Sequence, residues 1–413
     1  MTALSPEPSL DAAAPFDLVI LGAGCAGLAL AARLARSDAD LRVAVIDPRT
    51  EHGDDRSWSF WHHDHHALRG IVAHEWSGWT YSGFDGRAAT HRVPGVTYQY
   101  IRGIDFYRWA LDAIATDPRI TLHLGVGAHE LAAITLDDGT DGVRIVTDAG
   151  PVLARRVVDT RPQRTRALLY QCFSGVEVEH GGRLATDTDA SDPDAVGLMT
   201  RMRSGTEGLG FLYVLPLGPT RALVEWTRFS PAPLPLEQVA AERDAELGAL
   251  GLGDAVVVRE EQGILPMGRV DAPTPPLAGV ALAGNAGGAL RDASGFAFLR
   301  IQRWATRCAA ALARGEAPPA HPREPWVRRQ MDRIFLQALR AHPERSAEYF
   351  IAMATRVPPR RLLRFLTDRA TIGDLVAIIA SLPLTPFLAQ LPDRRERLVA
   401  AAARAARRQP VER

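Results

Sequence analysis

The stretch DLVILGAGCAGLALAARLAR, Asp17 to Arg36, limits what this chain can fold into more than any other. An apolar run of strand type passes directly into Gly22-Ala23-Gly24-Cys25-Ala26-Gly27 and then into alanine- and leucine-rich sequence of high helix propensity. In that setting each glycine has its own task. The first allows a tight turn, the second lets backbone approach a pyrophosphate, and the third lets the helix pack on the strand. The helix start offers unpaired N–H groups to phosphate. A second strand, Arg42 to Ile46, ends in Asp47, about 20 residues beyond Gly27, where an acid reaches a ribose hydroxyl. This order predicts a βαβ unit that holds a dinucleotide through Gly22, Gly24, Gly27 and Asp47.

Composition narrows the class by exclusion. At 413 residues, 46% hydrophobic and 23% charged, the chain can bury the cores of two or more domains. Basic and acidic residues balance at 48 each, so no bulk charge favours nucleic acid, and none is expected as a partner. Every basic residue is arginine; a Walker-A lysine and a Schiff-base lysine are excluded. Cys25, Cys172 and Cys308 stand singly, which suits a reducing, cytoplasmic setting and argues against structural zinc. The opening MTALSPEPSLDAAAPF has neither a basic n-region nor an apolar h-region, so no secretory signal is expected and residues 1–15 read as a disordered leader. The run His62-His63-Asp64-His65-His66 has spacings that share a helix face, but no third ligand follows at a recognisable distance; no metal is expected.

Two later segments bear on which dinucleotide. Val152 to Thr160, followed by Arg161-Pro162, resembles the strand that returns to the nucleotide sheet in FAD-dependent enzymes of the hydroxylase type, which puts Asp159 at the cofactor. Val280 to Ala289, VALAGNAGGA, reads as a buried strand entering a glycine-rich turn before an amphipathic stretch, Phe296 to Arg314. Many such flavoproteins end this strand in Gly-Asp; here the pair is Gly284-Asn285, with Gly287 and Gly288 close behind, and an Asn can still donate and accept. The helix start nearby favours a negatively charged, reduced flavin. Three separated segments feeding one nucleotide point to FAD rather than NAD.

With these pieces in order, the chain resembles the FAD-dependent lycopene cyclases of carotenoid biosynthesis over nearly its whole length. Asp55-Arg56-Ser57-Trp58-Ser59-Phe60-Trp61 is similar to that family's Arg-Thr-Trp-Cys-Phe-Trp type motif. Arg102 and Ile104-Asp105-Phe106-Tyr107-Arg108 look like the start of its next helix, with Arg102 in the cofactor set. Leu215-Pro216-Leu217 and Leu223-Val224-Glu225-Trp226-Thr227 resemble the Leu-Ile-Glu-Asp-Thr or Phe-Leu-Glu-Glu-Thr motif, and Gly263-Ile264-Leu265-Pro266-Met267 its Gly-Val-Leu-Pro-Met. Ala286 through Phe298 is similar to a stretch ending Ser/Thr-Gly-Tyr. Three departures stand out: Trp226 replaces the second acid, Phe296 replaces the tyrosine, and Arg291-Asp292-Ala293 lacks a proline. The first leaves the auxiliary acid open.

The resemblance implies lycopene beta-cyclase chemistry: non-redox closure of the linear ends of lycopene to beta-ionone rings, through gamma-carotene to beta-carotene, an intramolecular lyase or isomerase reaction with reduced FAD and NAD(P)H as reductant. Such chemistry needs a proton donor in a dry pocket, surfaces that stabilise a carbocation, and a base. Glu225 follows the apolar run Ala222-Leu223-Val224 and is the candidate acid, since an apolar pocket keeps a carboxyl protonated. Trp58, Phe60, Trp61, Trp226 and Phe296 are the candidate pocket walls, acting by cation–π attraction. Core packing explains such aromatics equally well, and a structural ion pair explains Glu225. Reduced flavin is an alternative proton donor. A flavin monooxygenase or reductase on a lipophilic polyene or isoprenoid, and a non-catalytic pigment binder, are the other classes open.

The expected architecture is α/β: a Rossmann-like FAD-binding domain of the hydroxylase type from residues 16–79, 101–178 and 275–318, an interleaved β-rich substrate domain from 80–100 and 179–274, and a helical C-terminal part, 319–413. Ile372 to Leu391 is the most apolar long window, but Asp374 and two prolines interrupt it. It predicts a helix that stops near Pro383 and a short second segment that faces either core or membrane. With the arginine-rich run from Arg394 to Arg413 and a water-insoluble carotenoid substrate, peripheral association with the inner face of the cell membrane is expected.

Overall fold

A computed structural model of the chain describes residues 14–181, 194–271 and 273–391. Residues 1–13 of the expected leader and the arginine-rich run 394–413 lie outside the described residues. The first half runs β1 (Phe16–Leu21), α1 (Cys25–Ala35), β2 (Val43–Asp47), β3 (Ser57–His62), β4 (His74–Trp76), β5 (Gly78–Gly83), β6 (Ala88–Arg92), β7 (Thr97–Arg102), α2 (Gly103–Ala115), β8 (Ile120–Leu124), β9 (Ala128–Thr135), β10 (Asp141–Thr147) and β11 (Gly150–Asp159). The second half runs β12 (Ala167–Glu179), β13 (Ala195–Gly205), β14 (Gly208–Gly218), β15 (Arg221–Ser230), α3 (Leu236–Ala249), β16 (Val256–Arg269), β17 (Val280–Leu282), α4 (Phe298–Ala313), α5 (Trp326–Ala341), α6 (Ser346–Arg356), α7 (Pro359–Leu366), α8 (Ile372–Ser381) and α9 (Leu384–Leu388).

A first seven-stranded sheet has the order β8-β2-β1-β11-β10-β9, with β17 also beside β11. β1, β2, β8, β11 and β17 run parallel. From Leu18 to Leu21, β1 is an unbroken apolar run because helices cover one face of the sheet and a second apolar cluster the other. A second seven-stranded sheet, β16-β12-β15-β14-β13-β5-β6, carries α3 on one face. Between the two sheets lies a three-stranded one, β3-β7-β4.

Two boundaries differ from the sequence expectation. The chain leaves the nucleotide sheet after Asp159, not at residue 178, because Pro162 and the exposed residues around it end pairing and β12 then joins β15 and β16. β7 leaves the expected substrate segment to pair with β3 and β4. The helical C-terminal part packs α5, α6 and α8 against the second sheet's apolar residues.

One buried ion pair ties that helical part to the turn after β17. Arg291 and Asp332 of α5 are 1% and 2% exposed, and the Arg291 guanidinium also donates to the Phe365 carbonyl and sits 4.3 Å from the Phe365 ring. Replacing one partner leaves the other charge buried alone, which costs about 3–5 kcal/mol. Arg291→Met should lower stability by about that amount in denaturant unfolding, and adding Asp332→Leu should restore most of it. A single variant as stable as the parent would show that the pair does not hold this junction.

Candidate active site

The glycine turn is shaped by close approach. Gly22 has φ +98°, and a Cβ on Gly27 would lie 1.9 Å from the Gly22 carbonyl oxygen, so neither position accepts a side chain. Gly24, by contrast, faces open space: a Cβ there would meet nothing nearer than Arg49 Nη2 at 3.9 Å. It caps α1 without a side-chain hydrogen bond, leaving the helix start free for an anion. Across the cradle, a Cβ on Gly287 would sit 2.4 Å from the Leu282 carbonyl oxygen, and Gly284 and Gly288 have φ of +63° and +92°. α4 begins after Ala297 with no side-chain cap and no acidic residue in its first turn. Two unclaimed helix starts facing a glycine-lined cradle fit an FAD pyrophosphate and a negatively charged ring.

The polar residues expected at the cofactor are bonded within the protein. Asp47 accepts the Ala23 N–H at 2.6 Å and both Arg49 Nε and Nη2, so it braces the glycine turn and is held well ionised by these partners despite its burial. Asp159 accepts Arg161 Nη2 at 2.7 Å, and Arg102 is ion-paired with Asp54. The Asn285 side chain is exposed while its carbonyl accepts from Arg269.

Beyond the cradle, strand alternation splits the aromatic motif of β3. Trp58 and Phe60 turn toward α2 and α4, stacking on Phe298 at 5.1 and 5.2 Å. Trp61 turns the other way, against Trp79, Tyr98 and Phe296 at 5.7, 5.0 and 5.6 Å. A cavity of about 320 Å³ runs from Trp61, Tyr213 and Phe296 out to α8 and α9. Trp58 and Phe60 are not among its walls; they pack the junction between β3 and the nucleotide domain. Trp226 is also corrected: it follows Glu225 in β15, so it faces the opposite side of the sheet, where its indole N–H donates to Glu242 Oε2 at 2.7 Å beneath α3. His66 Nε2 is 2.7 Å from Gln99 Oε1 and His63 Nδ1 is 2.7 Å from the Gly95 carbonyl oxygen, so the histidine run braces β7 and its preceding turn.

Glu225 lies on the inner face of the second sheet, in a row that crosses four strands. Its register partners are Tyr213 of β14 and Gly175 of β12, and Gly175 in turn pairs with Glu261 of β16. Burial first, and then the Glu261 charge, push the Glu225 carboxyl up to about 8, against the pull of a 3.0 Å hydrogen bond from the Thr227 hydroxyl. Part of its surface is open although it lies this deep, so it faces the interior space rather than bulk water. Glu261 is ion-paired with Arg259 at 2.7 Å and accepts the Ser57 hydroxyl at 2.9 Å. Arg259 also reaches Glu177 at 3.1 Å and the Tyr100 hydroxyl at 2.9 Å. Sequence reasoning missed Gly175, Glu177, Arg259 and Glu261. The signal in reach was Arg259-Glu260-Glu261 running into a strand, with alternation turning two of the three charges inward.

A sequence profile described as lycopene cyclase protein matches residues 17–391. A lycopene beta-cyclase of Pantoea ananas is 25% identical over 396 residues, covering 91% of this chain and 97% of that protein. Another, from Paracoccus sp., is 29% identical over 273 residues, 61% of each. Among solved structures, a geranylgeranyl bacteriochlorophyll reductase-like protein from Thermoplasma acidophilum aligns with a TM-score of 0.58 at 15% identity, covering 90% of this chain and 97% of that chain. A probable FAD-dependent monooxygenase from Pseudomonas aeruginosa aligns at 0.52 and 16%, covering 86% and 100%. At such identities the structural likeness is one of fold, and the fold is that of FAD-dependent flavoproteins.

The cradle makes a sharp contrast between two of its glycines. Gly24→Val should fold and lose flavin, because its side chain enters the open space meant for phosphate, whereas Gly27→Val should fail to fold against the Gly22 carbonyl. Flavin absorbance and circular dichroism of the purified variants separate the two effects; stoichiometric flavin in folded Gly24→Val would remove the nucleotide site from this loop.

Proposed function

Because the chain belongs to the lycopene cyclase family, we propose that it is a lycopene beta-cyclase, an isomerase that closes the linear ends of lycopene to beta-ionone rings with Glu225 as the acid. The observation that carries the reading is a carboxyl held protonated near neutral pH, next to the inner end of an apolar cavity. Bound FAD, reduced by NAD(P)H, would supply negative charge that stabilises a nearby cation. Gly22, Gly24, Gly27, Gly284, Gly287 and Gly288 are the residues that would hold it, with Asp47, Asp159, Arg102 and Asn285 at the rim.

The protein's own groups supply the rest. Glu225 gives its proton to the terminal double bond, the tertiary cation closes the ring, and the Glu225 carboxylate takes back the ring proton, so the acid is regenerated and no electron is consumed. Trp61, Tyr213 and Phe296 line the cavity and present aromatic faces to positive charge, an attraction worth about 2 kcal/mol or more where water is excluded. Dryness matters because water would capture the cation as an alcohol.

Substrate access supports a peripheral membrane location. Among the described residues no helix is long and apolar enough to cross a membrane. α8 and α9 nonetheless expose Ile372, Val376, Leu384 and Leu388 at 83%, 58%, 53% and 57%, and Leu384 and Leu388 also line the cavity together with Ile378, Leu382 and Phe387 of the same segment. The exposed apolar face of this segment is therefore continuous with the cavity lining, as entry from a bilayer requires.

Two measurements test the reading. With lycopene in liposomes under anaerobic conditions, one reduction of the flavin should support many turnovers, activity should fall as pH rises through about 8, where Glu225 loses its proton, and Glu225→Gln should retain flavin but lose about 10²–10⁴-fold in rate. NAD(P)H consumed in step with product would instead mark a flavin monooxygenase or reductase. Separately, Val376→Asp with Leu388→Asp should abolish flotation with liposomes while leaving flavin content intact; unchanged flotation would move the membrane contact elsewhere.

A further inference from the structure

The family's paired acid is absent from β15, where Trp226 stands, yet Glu225 is not without a second carboxylate. We infer that Glu261, from another strand, is the positioning residue that shares a single proton with Glu225 across the bare backbone of Gly175. This rests on the reading of Glu225 as the cyclising acid and names the group that sets its proton affinity.

Geometry carries the inference. Glu225, Gly175 and Glu261 are directly opposed on the adjacent strands β15, β12 and β16. Side chains two strands apart ordinarily have a third one between them, about 4.5–5.5 Å from each. Here the middle position is glycine, and a Cβ there would lie 3.2 Å from both Glu225 Cβ and Glu261 Cγ. The gap is what lets the two carboxyl groups lean together and form a hydrogen bond. Gly175 has no left-handed φ to account for it, so space between the two acids is what the position provides.

The neighbours make the pair unequal. Glu261 has the cation: Arg259 at 2.7 Å, with the Ser57 hydroxyl at 2.9 Å. Glu225 has only the Thr227 hydroxyl at 3.0 Å, and Tyr213 beside it. From β7, Tyr98 and Tyr100 face the same space, and burial pushes both phenols up, so they stay neutral. From β12, Glu177 is matched by Arg259 and Arg221; from the segment before β3, Asp54 is matched by Arg102. The proton therefore belongs on Glu225, donated toward an ion-paired Glu261. When Glu225 gives that proton to a polyene, two carboxylates face each other with one guanidinium, bonded to Glu261, beside them, which drives return of the ring proton. Proton count is conserved: one leaves Glu225 and one comes back.

The test uses the purified flavoprotein. Glu261→Gln removes the opposing charge and lowers the Glu225 proton affinity, so the alkaline limb of the cyclisation profile should move to lower pH by about one unit or more, with flavin content kept. Gly175→Ala, which retains both acids but wedges them apart, should move it in the same direction. Infrared pH-difference spectra give a readout apart from turnover: a protonated-carboxyl band present at neutral pH in the parent, absent in Glu225→Gln, and titrating at lower pH in Glu261→Gln. A limb and a band that stay put in flavin-loaded Glu261→Gln, or a rate reduced equally at every pH, would overturn the pairing. If no variant or parent cyclises lycopene, the functional reading fails, and the infrared band still decides whether the proton is shared.

Discussion

A carboxyl group that keeps its proton at neutral pH depends on the removal of water, and most of the second sheet serves that end. Desolvation is the largest influence on Glu225, ahead of any neighbouring charge. The sheet achieves it by covering the Glu225 face with β3 and β7 and the opposite face with α3, so that the row Tyr213, Glu225, Gly175, Glu261 is roofed by Ser57, Tyr98 and Tyr100. The adjacent charges would be prohibitive if unpaired, and each has a counterpart: Glu177 is held between Arg221 and Arg259, and Glu261 takes the other arm of Arg259. Among the described residues no guanidinium is hydrogen-bonded to Glu225, whose proton affinity rises.

The three-stranded sheet is the partition on which this depends. Its period of two gives it two unlike faces. Trp58, Phe60 and Ile101 belong to the core around α1, α2 and α4, while Trp61, Tyr98 and Tyr100 belong to the core of the second sheet. One short motif thereby fastens the nucleotide domain to the acid's roof. A change in Trp58 acts on the first face and a change in Trp61 on the second, though only two residues separate them.

That alternation also explains what could be read in the sequence and what could not. The glycine turn, its helix and the returning strand are local signals whose spacing dictates their geometry, and they lie together on the first sheet. Glu225 stood out through its apolar run and its motif. Grouping Trp58 and Phe60 with Trp61, or Trp226 with Glu225, put strand neighbours of opposite orientation on one wall; strict alternation separates them once the segments are strands. Glu261 was illegible for a different reason. It reaches Glu225 only through the register of β12 with both β15 and β16, and that register is set by pairings across some fifty to ninety residues of chain rather than by any local pattern.

The shared fold then has to be reconciled with the proposed reaction, which transfers no electrons. Proteins of similar architecture include one described as a reductase-like protein and one as a probable monooxygenase, so a flavin cradle beside a substrate sheet does not by itself choose the chemistry. The choice lies in what the substrate sheet turns toward the cavity. A redox flavoenzyme needs access for its second substrate and a site where electrons and oxygen or hydride meet. An acid-driven cyclase needs a neutral carboxyl, aromatic faces and no water. This chain puts Trp61, Tyr213 and Phe296 around one end of an apolar cavity, with an acid of raised proton affinity beside Tyr213 and a second acid to receive its hydrogen bond. Those side chains come from four different strands and one loop, so the same backbone could exchange them without disturbing the cradle, which is how one fold comes to serve both kinds of reaction.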